Sequence, residues 1–124
     1  MSVDSWQPIQ PATDITASDL KKMTDFAHEE KTNLTSELDW IQPFIQGKKE
    51  IWSKAAENLG EAELIALIRW FTLLEKEQNW DLGEGSPVIP LFKHYKKTCG
   101  INRELVKWVK EHSENKYLPF GPLL

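Results

Sequence analysis

Cysteine is almost missing: Cys99 stands alone in 124 residues. That excludes an intramolecular disulfide framework and suits a reducing compartment. No apolar run approaches the ~18 residues needed to span a bilayer. The opening Met1-Ser2-Val3-Asp4 shows neither a basic stretch nor an apolar segment behind it, so no secretory signal is expected. Absent too are G-x-S-x-G, a P-loop, G-x-G-x-x-G and H-E-x-x-H, which leaves the commoner catalytic mechanisms without an anchor. There is no internal repeat, no low-complexity tract and no alternating strand pattern. These absences predict a soluble cytoplasmic all-α protein that needs no cofactor.

The composition that remains is globular, with 40% hydrophobic and 27% charged residues. A chain of this length buries roughly two-thirds of its extended surface and folds without a metal or disulfide staple. Residues 1–15 read as an extended arm, because Pro8 and Pro11 interrupt a stretch without periodicity, although Trp6 and Ile9 can pin it. Residues 16–114 read as the helical domain. Thr16 followed by Asp19 is a capping pattern, with Ser18 as a competing cap. Leu20, Met23, Ala27 and Leu34 then form a stripe, so a first helix is expected from 19 to at least 31. Leu20, Ala27, Leu34 and Ile41 keep a seven-residue spacing that suits one long helix. Thr32, Asn33, Thr35 and Ser36 favour a break near 32–35 instead. Pro43 reads as punctuation.

Ile51, Trp52, Ala55, Ala56 and Leu59 form the inner face of a further helix, closed by Gly60. The run 64–74 is apolar at nine of eleven positions. A helix apolar all round lies at the centre of a fold, so residues 61–79 are expected to be the middle of a compact bundle of five or six helices. Ser86 and Pro87 open another helix, with Val88, Leu91, Phe92 and Tyr95 inward and Pro90 harmless in the first turn. Gly100 ends it. Asn102 caps a last helix with Leu105, Trp108, Val109 and His112 inward. The tail, residues 115–124, is apolar and holds two prolines, so it is not helical. It is expected to pack on the domain or on a partner.

Net charge is −4, unevenly divided: residues 1–85 carry sixteen acidic and eight basic side chains, residues 86–124 three and seven. The two helices around Thr98-Cys99-Gly100-Ile101 resemble the outline of a DNA-binding helix-turn-helix, with Tyr95, Cys99, Ile101, Val106 and Val109 as buried positions. In that reading residues 87–112 bind DNA, and Arg103, Lys107, Lys110, Lys93 and Lys97 supply the contacts. Lys96, where that motif wants a small residue, and the acidic whole oppose it.

Other constellations are weak. His28 pairs with Asp25 at helical spacing, but no second such motif completes a metal site. Cys99 is expected to be a small buried thiol. Gly83-Glu84-Gly85-Ser86 reads as a loop and cap, not an anion site. Arg69 breaks the central apolar helix. Either it turns inward to Asp39, Glu37 or Asp25, or it sits with Thr72 and Lys76 on the helix's one exposed edge, which is the simpler expectation.

Six tryptophans are many for this length. Trp52, Trp70 and Trp108 fall on core stripes, whereas Trp6, Trp40 and Trp80 do not. Tryptophan is enriched where proteins touch. The expectation is therefore a non-catalytic protein acting through protein–protein contact, as a regulator, an accessory factor or a self-associating module. Its expected anchors are Trp40, Trp80, Tyr117, Leu118 and Phe120, and the acidic Asp25, Glu29, Glu30 and Glu37 would steer a basic partner.

Overall fold

Thr16 opens the first helix as the capping pattern predicts. Its hydroxyl accepts the Asp19 N–H at 3.1 Å and donates to Asp19 Oδ2 at 2.8 Å. In the computed structural model, which describes residues 11–33 and 37–121, helix α1 spans Ala17–His28 and buries Leu20, Met23 and Ala27. It ends before the expected residue 31. Glu30 adopts φ 53°, and the Lys31 N–H returns to the Phe26 carbonyl at 3.0 Å. This is a left-handed stop made without glycine. The chain then leaves the helix, and the Trp70 indole donates to the Lys31 carbonyl at 2.7 Å while Gln78 donates to that of Thr32 at 3.1 Å. The break is thus fastened to the middle of the molecule. Trp6, Ile9 and Leu34 lie outside the described residues.

Among the described residues five more helices follow: α2 Leu38–Ile45, α3 Lys49–Ala56, α4 Glu61–Glu77, α5 Val88–Cys99 and α6 Arg103–His112, with a 3₁₀ turn at Gly83–Gly85. Pro43 lies inside α2 instead of ending it. Its ring removes the N–H that would reach Asp39, and the helix closes at Ile45, so the loss is confined to one bond. The Pro43 carbonyl accepts the Ala12 N–H at 2.8 Å, which brings the N-terminal segment onto α2. Helix α4 stops at Glu77, two residues short of expectation, because Asn79 takes φ 58° and Trp80 N–H bonds back to Glu75.

Helix α4 occupies the centre, as its apolar run predicts. Helices α1, α5 and α6 all pack on it and α3 packs on α5. Leu64, Leu67, Ile68, Trp70, Phe71 and Leu74 are buried along its length. Thr72 corrects the expected exposed edge: it is fully buried, and its hydroxyl donates to the Ile68 carbonyl at 2.7 Å. A hydroxyl satisfied within its own helix carries no burial penalty for an open donor.

The last two helices depart from the helix-turn-helix outline. Neither packs closely on the other; both lean on α4. Their turn is therefore uncovered, Cys99 is exposed instead of buried, and Ile101 is 65% exposed. Gly100, at φ 88°, reverses the chain. Asn102 then caps α6 by accepting the Leu105 N–H at 3.0 Å and donates to the Tyr95 hydroxyl at 3.2 Å; Tyr95 donates in turn to Glu61 at 3.0 Å. That chain of bonds joins three helix ends. Beyond α6 the non-helical tail runs back over α5, with Leu118 buried and Phe120 meeting Phe92 edge-on at 5.3 Å. Among the described residues no helix is long and apolar enough to cross a membrane.

Candidate functional site

The five aromatic and apolar anchors expected from the sequence do not form one surface. Trp40, on α2, is half-buried between Phe26 at 6.1 Å and Phe44 at 5.6 Å, with the Lys22 ammonium 4.2 Å from its ring. Its indole N–H points to Asp19 at 3.4 Å. Trp40 thereby fastens α2 to α1. Leu118 is buried in the chain's own core, Phe120 meets Phe92 of α5, and a side chain added at Gly121 would meet Ile89 at 3.2 Å. Trp80 and Tyr117 stay half-buried beyond the C-terminal end of α4.

Trp80 lines a polar hollow of about 380 Å³ with Glu75, Lys76, Asp81, Ser113 and Asn115. Glu75 forms its inner side and is only 5% exposed. Burial pushes its carboxyl above the usual range, against the lowering effect of hydrogen bonds from Ser86 and Asn115. Asn115 also donates to the Gly83 carbonyl at 2.9 Å, and Ser86 accepts the Val88 N–H at 3.2 Å. The carboxylate thus ties α4 to the start of α5 and to the tail. Nothing in the sequence reading singled out Glu75. Its position among apolar neighbours at 73 and 74 is the signal that was available.

The five cations are exposed but distributed. Lys93 and Lys97 line a groove between α3 and α5 that also holds Glu50 and Glu57. On α6, Lys107 pairs with Glu111 at 3.8 Å, and Lys110 lies 5.8 Å from the Phe120 ring. Arg103 stands at the first position of that helix. Among the described residues no group of three histidine, cysteine or acidic side chains is placed to hold a metal ion.

A different set does come together. Helices α1 and α6 lie on α4 while making little contact with each other, and a strip of α4 stays open between them. Ala62, Ile65, Ala66, Arg69 and Leu73 recur along that strip at the spacing of one helical face. With Ala27, His28, Glu30 and Trp70 they border a hollow of about 390 Å³. Ile65 and Arg69 also border a second, of about 220 Å³, on the side of Leu105 and Trp108. Arg69 is exposed, as the simpler expectation had it, and its guanidinium lies 4.7 Å from the Trp108 ring. Among the described residues no carboxylate pairs with it.

Trp108 is half-buried, not a plain core residue. Its ring stacks with His112 at 4.1 Å, and the His112 Nδ1 lies 2.7 Å from the Trp108 carbonyl, so that nitrogen carries the proton. The sequence reading isolated Arg69 but not its partner, because the two are 39 positions apart and meet only when α6 lies on α4.

No protein-family model matches the chain, and neither the curated proteins nor the solved structures include a match.

Proposed function

We propose that the protein is a non-catalytic contact protein, a regulator or accessory factor, whose working face is the open strip of α4. One observation carries the reading: Arg69 is held against Trp108 at the junction of two hollows floored by Ala62, Ile65, Ala66 and Leu73, with its donors unpaired among the described residues. Arginine and tryptophan dominate binding energy at protein interfaces, and a guanidinium ordered before contact loses less freedom on binding. The anchors proposed from sequence then divide: Trp40, Leu118 and Phe120 hold the scaffold, while Trp80 and Tyr117 remain as peripheral contacts. The exposed Cys99 thiol supports a reducing, cytoplasmic setting.

Capture from native extract tests this reading, comparing the wild type with Ala66→Trp, which fills the trough, and Lys93→Glu, which does not touch it. Partners held by the wild type and by Lys93→Glu, and lost by a folded Ala66→Trp, are expected. Equal retention by all three would overturn the reading. The rival, DNA binding through residues 87–112, has less support, because Lys93 and Lys97 share their groove with Glu50 and Glu57, Lys107 pairs with Glu111, and Asn102 is committed to Tyr95 and Leu105. Retardation of duplex DNA at low salt, abolished by Lys107→Glu, would put the rival in its place.

A further inference from the structure

We propose that the occupant of the α4 strip is an amphipathic helix from another protein, carrying a carboxylate at the centre of its contact face and basic residues on the flanks turned to α1 and α6. The proposal rests on the contact reading above and adds the chemistry of the partner. The strip has the form that receives a helix: a helical floor with small Ala62 and Ala66, walled on either side by α1 and α6.

Charge then decides what the helix carries. Arg69 borders both hollows, so it sits at the junction of the two. Its planar fork can donate two parallel hydrogen bonds to a carboxylate, and contact with the Trp108 ring holds the fork in place. Glu30 borders one hollow and Glu104 the other. An acid on the partner is therefore attracted to the junction and repelled from the two walls, where a lysine or arginine is favoured instead.

The occupant's sequence can be read without knowing it in advance. A displayed library of helical peptides, randomised along one face, is panned on the full chain. Selected peptides are then titrated by fluorescence polarisation against the wild type, Arg69→Gln and Ala66→Trp, with circular dichroism and thermal melting establishing that each variant is folded. The expected winners carry leucine-like residues at spacings of three and four around one Asp or Glu, with basic residues at the edges of that face. Arg69→Gln weakens them about tenfold or more. Replacing the peptide's acid by its amide costs the same against the wild type, and nothing further against Arg69→Gln.

Winners without an acid, lost to Ala66→Trp yet indifferent to Arg69→Gln, overturn the proposed chemistry and leave the contact reading standing. Winners indifferent to both variants overturn the two together. Sedimentation showing a dimer of the chain that Ala66→Trp splits would make a second copy the occupant, and the proposal would fall.

Discussion

Glu75 is a residue whose chemistry follows from where the helix places it. A carboxylate next to Leu73 and Leu74 on the central helix is taken out of water, and the hydrogen bonds from Ser86 and Asn115 offset only part of that loss. Its carboxyl is raised in the folded state, so the folded chain binds the proton more tightly than the unfolded chain does. The sign follows: stability contributed by this group is full below the ordinary carboxylate value and is lost as pH rises through the raised folded value. Glu75→Gln, measured by urea denaturation, should therefore destabilise more at about pH 4 than at about pH 8, with the difference vanishing if the side chain were solvated. Arg69 shows the converse. Being exposed, it needs no buried partner, and the tryptophan beneath it supplies about 0.5–1 kcal/mol of attraction of the kind seen at surface sites. At this scale the sequence announced the unusual residue, an arginine in an apolar run, but not its neighbour. Stacking partners on different helices depend on packing that no local spacing contains.

Among the elements, the helix starts were more legible than the stops. Thr16 and Asn102 cap α1 and α6 as their side-chain chemistry demands, and Ser86 binds the first N–H of α5. The stops of α1 and α4 were misplaced because they use Glu30 and Asn79 in left-handed conformation, and a search for glycine passes over both. The left-handed conformation strains a residue that has a Cβ, so Glu30→Gly should raise stability by about 0.5–1 kcal/mol, seen as a higher thermal midpoint. An unchanged or lower midpoint would show that the Glu30 side chain contributes more than its backbone costs. Pro43 was misread for a related reason. In a helix of eight residues one missing N–H near the end is a small loss, so the proline interrupts nothing. Over its described residues, 115–121, the tail is non-helical, as its prolines led one to expect. What it covers, the α5 face at Ile89 and Phe92, became visible only with the chain folded.

For the whole molecule, the all-helical bundle around residues 61–77 was present in the hydrophobic pattern, since a helix apolar on every side has no stable place except the middle. The same all-round pattern hid the strip that matters here. Ile65, Ala66 and Leu73 look like core residues, and only the separation of α1 from α6 leaves them half-buried at the surface. The helix-turn-helix outline failed in the same way: its spacing was right, but both helices satisfied their apolar faces on α4 and left Ile101 outside. The claim that ties these levels together is that the uncovered strip is where the protein meets its partner. A photo-crosslinking side chain installed at Ala62, within the trough, and separately at Lys54, across the molecule on α3, tests it in native extract. One discrete adduct is expected from position 62, abolished when Ala66→Trp is added, and none from position 54. No adduct from 62, or equal adducts from both positions, would contradict it.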